Sequence, residues 1–146
     1  MKKLYAVLML LVFLAPTTAI SGEDTLVAMV TSNLSLTDNK TLDIKAIRKL
    51  YLGFKSAAQQ KPVEVVVNVS DEQLYQSFLQ RVMYMSAKKF QRISVAKFFR
   101  HGGKLIQNID NTNELAEKLS SNSNVVSFIW AKDLKRYKHL KVIKIL

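Results

Sequence analysis

The sequence predicts a single α/β domain in which a mixed, largely parallel sheet is flanked by helices. Three observations support this prediction. Strand-like and helix-like segments alternate along the chain, residues 63–69 are rich in β-branched valine, and Ser70 to Gln73 follow at once with the S-x-x-Q spacing of a capping box. A strand that leads straight into a capped helix is half of a βαβ unit, which places its two strands parallel.

Before the valine run, the pattern predicts one strand and one helix. Residues 26–30 are an apolar run that ends in the polar residues 31–33, which indicates a buried strand followed by a loop. Thr41 is placed as the N-cap of the helix, whose apolar residues recur at helical spacing until Gly53 ends it.

After the valine run, the pattern predicts three helices and three more strands. The strands are short apolar runs at residues 105–109, 125–130 and 140–146. Each helix begins at a side chain that can cap it, namely Ser70, Ser86 and either Asn111 or Thr112. The second of these helices is expected to end near Arg100, because Gly102 and Gly103 follow.

Residues 1–19 have the pattern of a cleavable signal peptide, so the folded domain is predicted to span residues 20–146. Lys2 and Lys3 supply positive charge, an apolar run follows, and small residues precede the predicted cleavage site after Ala19. An uncleaved membrane anchor is the alternative, but a spanning helix needs about 20 apolar residues. We therefore expect a periplasmic protein that is not a transmembrane protein once processed.

The composition favours an anionic partner and gives little support to catalysis. The chain has 22 Lys and Arg against 11 Asp and Glu, a formal net charge of +11, and no cysteine. Without cysteine, disulfides, thiolate metal sites and a cysteine nucleophile are excluded. The two histidines have no carboxylate near them in the sequence, and no hydrolase, metalloprotease or P-loop motif occurs. We expect no enzymatic activity, no metal and no other cofactor.

The order of several segments resembles that of phosphate-type periplasmic solute-binding proteins. The segments are Leu52-Gly53-Phe54-Lys55, the Pro-led valine strand at residues 62–69, Phe78, Phe99-Arg100-His101-Gly102-Gly103 and residues 124–129. The resemblance covers about residues 26–130 and is carried by the order and spacing of these segments.

The resemblance implies both a fold and a function. It implies a single lobe of a type II periplasmic-binding-protein-like fold, because a full binding protein holds its ligand between two lobes. It also implies a substrate-binding role in ABC transport, with phosphate or another small oxyanion as ligand and an ABC permease as partner. A second protomer that supplies the missing lobe remains an alternative.

Five residues are predicted to bind the anion. Thr31, Ser32 and Asn33 follow one predicted strand, and Ser70 follows another. The carboxyl ends of parallel strands meet at one edge of a sheet, where open α/β folds bind ligands. Arg100 lies in the segment that resembles a glycine-basic-glycine motif of the family. In the alternative interpretation, Ser70 is only an N-cap and residues 31–33 are only a loop.

One departure from the family supports a second function. Larger members place Ser-Gly-Thr-like residues after the valine strand, whereas this chain has Asp71 and Glu72, whose carboxylates would repel an oxyanion. The alternative function is a ligand-free periplasmic accessory or sensory protein whose basic face binds an acidic protein partner.

The chain has two basic runs, and the first is a candidate for that face. The first contains no acid and consists of Arg81, Lys88, Lys89, Arg92, Lys97, Arg100 and Lys104. Its bases are expected to be widely spread, and a solvated face, an acidic partner and a membrane surface all remain open, while nucleic acid is not expected of an exported protein. The second run, within residues 132–144, is interpreted as a lysine-protected edge strand, with a contact to lipid headgroups or to anionic polysaccharide as the alternative.

Overall fold

The computed structural model describes residues 25–32, 42–54, 62–102, 104–121 and 124–146. The strands are β1 (Val27–Thr31), β2 (Glu64–Asn68), β3 (Gln107–Ile109), β4 (Val125–Trp130) and β5 (Lys141–Ile145). The helices are α1 (Ile44–Tyr51), α2 (Glu72–Phe78), α3 (Ala87–His101) and α4 (Thr112–Ser121). A π-helical segment, Leu79–Met83, continues α2, and a 3-10 helix, Ala131–Arg136, follows β4.

The described strands form a mixed sheet in the order β3-β2-β4-β1-β5. This confirms the predicted α/β class with a mixed sheet flanked by helices. The expectation of a largely parallel sheet is wrong: β2 is parallel to β3 and β4, but β1 is antiparallel to both β4 and β5. The sequence could not reveal this, because a strand buried on both faces is a continuous apolar run whichever way it points.

Helices cover both faces of the sheet. On one face, α1, α2 and the π-helical segment pack over a core that includes Tyr51, Phe78 and Phe128. On the other, Leu115 and Leu119 of α4 pack against the opposite side of the same strands, where the 3-10 helix also lies. Since β1 and β4 are buried along their whole length, these two clusters enclose the centre of the sheet.

The helix caps are partly as predicted. The hydroxyl of Ser86 caps α3 by accepting from the Lys89 N–H, and Asn111, one of the two predicted candidates, accepts from the N–H groups of the first turn of α4. The prediction for α2 is wrong by one residue. Asp71 caps that helix by accepting from the Leu74 N–H, whereas the hydroxyl of Ser70 donates to the side chain of Asn68.

Several predictions fall outside the described residues. The signal peptide at residues 1–19 is among them, as are Asn33 and Gly103. Thr41 also lies outside, but its prediction as the N-cap of α1 is wrong, because the side chain of Asp43 caps that helix by accepting from the Ala46 N–H at 2.7 Å. Among the ranges that are described, no helix has the length and apolar character needed to cross a membrane.

Candidate functional site

The structure does not bring the predicted oxyanion-binding residues together. Thr31 pairs with Val126 of β4, and Val126 pairs on its other side with Val65, near the start of β2. Ser70 lies five residues beyond Val65, which corresponds to about 16 Å along a strand. Because β1 and β2 run in opposite directions, their carboxyl ends lie at opposite edges of the sheet. The predicted meeting of the two loops is therefore wrong.

The predicted hydroxyls also have partners within the fold. The hydroxyl of buried Thr31 donates to the Val125 carbonyl at 2.8 Å. The Ser70 hydroxyl donates to the side-chain oxygen of Asn68 at 2.6 Å, and the amide of Asn68 donates in turn to the Phe128 carbonyl at 3.1 Å. Ser32 is half-buried beside Thr31, and Asn33 lies outside the described residues.

A carboxylate occupies the N-terminus of α2, directly after the predicted anion-binding residue Ser70. One oxygen of Asp71 accepts from the Leu74 N–H at 3.0 Å, and the other accepts from the Trp130 indole N–H at 2.8 Å. The bond from Trp130, followed by those from the backbone of the first turn, holds the pKa of Asp71 below its usual value. The negative charge present at this terminus would repel an incoming oxyanion.

Arg100, the fifth predicted residue, lies far along α3 and belongs to a different surface. That helix is poorly covered by the rest of the chain. Among its residues whose burial is described, Phe90 alone is buried, and Phe99 is 78% exposed. A surface helix normally buries a continuous apolar stripe. The α3 helix therefore exposes more of its apolar side chains than an ordinary surface helix does.

Four bases and two apolar residues share one face of α3. They follow the i, i+3, i+4, i+7, i+8, i+11 spacing of a helical stripe: Lys89, Arg92, Ile93, Ala96, Lys97 and Arg100. We call this set the basic stripe. The expectation that the bases spread widely is wrong for these four, because the 3.6-residue period brings them onto a common side over about 16 Å.

The C-terminal part of the basic stripe forms one wall of an apolar groove. The groove has a volume of about 610 Å³, and its opposite wall is the end of α1, at Leu52, Gly53 and Phe54. From α3 it receives Ile93, Ala96, Lys97 and Arg100. The Phe54 ring is 60% exposed, so the apolar surface of the groove is open to solvent.

Lys97 joins the two walls of the groove. Its ammonium donates to the Leu52 carbonyl at 2.8 Å and lies 5.0 Å from the centre of the Phe54 ring. Desolvation lowers the pKa of Lys97. Gly53 permits this approach, because it has a φ of +75° and any Cβ there would overlap the Lys97 side chain.

Among the described residues, no base of α3 forms an ion pair. Within the described residues, the ion pairs join Lys118 to Glu64 at 2.9 Å and Arg136 to Asp133 at 4.0 Å. Arg81, the first base of the predicted run, has a structural role instead, because it donates to backbone carbonyls at both ends of the described chain, at 2.9 Å each. The described part of the chain also contains no cluster of residues that could hold a metal ion.

Comparison of the chain with protein-family models, with curated proteins and with solved structures found no match in any of the three. The function must therefore be inferred from the residues and their geometry.

Proposed function

We propose that this protein is a ligand-free periplasmic accessory protein that binds an acidic protein partner through the basic stripe of α3. The observation that carries this proposal is the stripe itself, where four bases without acidic partners among the described residues share one helix face, and two of them, Lys97 and Arg100, line an open apolar groove. A docking surface typically combines exposed apolar anchors with charges that complement the partner.

The site geometry favours this function over binding of a small oxyanion. Thr31 and Ser70 lie at opposite edges of the sheet, and the carboxylate of Asp71 occupies the helix terminus between β2 and α2. A fold of the same family that lost its ligand would keep the framework segments and lose these contacts. The relation to phosphate-type solute-binding proteins, as a single type II lobe, is part of this proposal.

Charge would direct the encounter with the partner. Removal of residues 1–19 takes away two lysines and no acid, which leaves a formal charge of +9 on 127 residues. A field of this sign speeds association with acidic surfaces and is screened over about 8 Å at physiological salt. The partner is therefore expected to be acidic, and its binding is expected to weaken as the salt concentration rises.

Affinity capture from a periplasmic extract tests the proposed function. The purified protein is used as bait beside a variant with Arg92→Glu and Arg100→Glu, which reverses two charges of the basic stripe. We expect the unmodified protein to retain acidic proteins that are released by moderate salt, and the variant to lose them.

A second variant controls for net charge. Lys135→Glu with Lys138→Glu makes the same charge change among exposed residues on the opposite side of the sheet from α3, and it should retain the same proteins. Equal loss in both variants would show that overall charge, and not the basic stripe, is responsible. Retention that is indifferent to salt and to all four substitutions would contradict the proposal.

A further inference from the structure

We infer that the groove between the end of α1 and α3 binds an acidic segment of a partner protein by taking one of its apolar side chains, while neighbouring carboxylates bind Lys97, Arg100 and Arg92. This inference rests on the proposed function and adds the recognition chemistry of the site. Its parts are the concave apolar floor, the orientation of Lys97 and the length of the basic stripe.

The groove has the size and lining needed for an apolar anchor. Its volume of about 610 Å³ lies within the range of about 300 to 1,000 Å³ that is typical of small-ligand pockets. Ile93, Ala96 and the ring of Phe54 supply its apolar surface. The side chain of Ala96 is small and lies between the bulkier Ile93 and Arg100 along the stripe. It therefore leaves space in the groove for the side chain of a partner.

Lys97 is positioned to bind a carboxylate beside the anchor. An ammonium has three N–H donors, and the Leu52 carbonyl accepts one of them. That contact and the Phe54 ring fix the position of the charge at the rim of the groove and leave the other donors for a ligand. The lysine side chain can take this position because Gly53 has no Cβ, which would otherwise overlap it.

The extent of the positive charge favours an acidic segment over other occupants. The bases run from Lys89 to Arg100, over about 16 Å of helix, so one terminal carboxylate could meet only a part of them. A second copy of this chain would bring like charges together. A lipid surface would be met by a convex apolar face, whereas the apolar floor here is concave and flanked by bases on one side.

The test measures the binding of two labelled peptides to the purified protein by fluorescence anisotropy. Both are short peptides rich in Asp and Glu; the first also carries Leu and Phe, and the second has Ser in their place. We expect the first peptide to bind about tenfold or more tightly than the second, because an apolar side chain leaves water only in the first complex.

Variants of the groove show whether that difference arises there. Ala96→Trp fills the groove without changing a charge and should reduce binding of the first peptide to that of the second. Phe54→Ser, which removes the opposite wall, should do the same. Gln91→Trp introduces the same side chain at an exposed position away from the groove and should leave the difference intact. Unchanged thermal melts confirm that each variant is folded.

Three outcomes would overturn the inference. In the first, the two peptides bind equally well and both lose binding with Arg92→Glu and Arg100→Glu. The groove would then have no part in recognition, and the proposed function of the basic stripe would stand. In the second, neither peptide binds the unmodified protein, which would count against the proposed function as well. Sedimentation with phosphatidylglycerol vesicles, unaffected by Ala96→Trp and accompanied by equal peptide binding, would assign this face to a membrane.

Discussion

The two helical regions on the same side of the sheet differ in how they use their aromatic residues. In the first, Phe78 of α2 stacks on Phe128 of β4 with ring centroids 3.9 Å apart, and Tyr51 of α1 lies 4.8 Å from Phe78. In the second, α3 buries Phe90 but leaves Phe99 in solvent. The same residue type is thus structural in one helix and available for contact in the other.

The difference separates stability from recognition. The three rings of the first region lie in a fully buried cluster, and the Tyr51 hydroxyl donates to the Val66 carbonyl at 3.0 Å, which ties α1 to the sheet. Burial raises the pKa of Tyr51, so its hydroxyl stays a donor. The last turns of α3 have no comparable packing, and substitutions there are expected to change binding more than folding.

Phe78→Ala should give the largest loss of stability. The substitution removes a ring from the fully buried stack and leaves a cavity, and such changes cost about 3 to 5 kcal/mol. Urea denaturation followed by circular dichroism measures the free energy of unfolding. A cost below about 1 kcal/mol would mean that the stack is loosely packed and that the contrast with α3 is incorrect.

Asp71→Ala should cost about 1 to 2 kcal/mol at pH 7, because it removes the cap of α2 and the partner of the Trp130 indole. The pKa of Asp71 is depressed in the folded state, so its contribution is present above the unfolded pKa of about 3.9 and is lost as the pH falls through the folded value. Stability curves of the two proteins should therefore converge in acid.

Asp71→Asn is the matched control, because asparagine is also a good N-cap but has no charge. It should retain more stability at pH 7 than Asp71→Ala. Trp130 is the single tryptophan of the chain, so its fluorescence reports the loss of the indole contact directly. If the free energy of unfolding changed with pH in the same way for the unmodified protein and for Asp71→Asn, the charge of Asp71 would have no role in stability.

Gly53→Ala should cost about 1 kcal/mol from the positive φ alone, with a further cost from displacement of Lys97. In a double-mutant cycle, Lys97→Ala should remove the second cost and leave the first, because the overlap no longer exists. Additive effects of the two substitutions, measured by thermal unfolding, would show that the two residues do not share the close contact.

Phe99→Ala should have the smallest effect, within about 0.5 kcal/mol, because the ring is 78% exposed. It is the counterpart of Phe78→Ala, with the same atoms removed from the other helical region. A loss of stability as large as that of Phe78→Ala would mean that α3 is covered by a part of the fold and is not an open surface.

Local patterns predicted most elements but not their assembly. Residues 125–130 form a strand as predicted, and Ser86 begins α3, because β-branched runs and capping side chains act within a few residues. The strand expected over residues 105–109 is shorter, from Gln107 to Ile109, since its length depends on pairing with β2. The direction of β1 was predicted wrongly, and its antiparallel orientation places Thr31 and Ser70 at opposite edges of the sheet.

The sequence by itself determined the α/β class, the helix that carries the basic run and the carboxylates in the first turn of the helix that follows the valine strand. Those features depend on residue type and short spacing. The tertiary structure alone decided that β1 runs against β4, and that Lys97 reaches the Leu52 carbonyl across 45 positions of sequence. Both depend on which apolar surfaces meet in the folded chain, and many pairings of those surfaces satisfy the same local pattern.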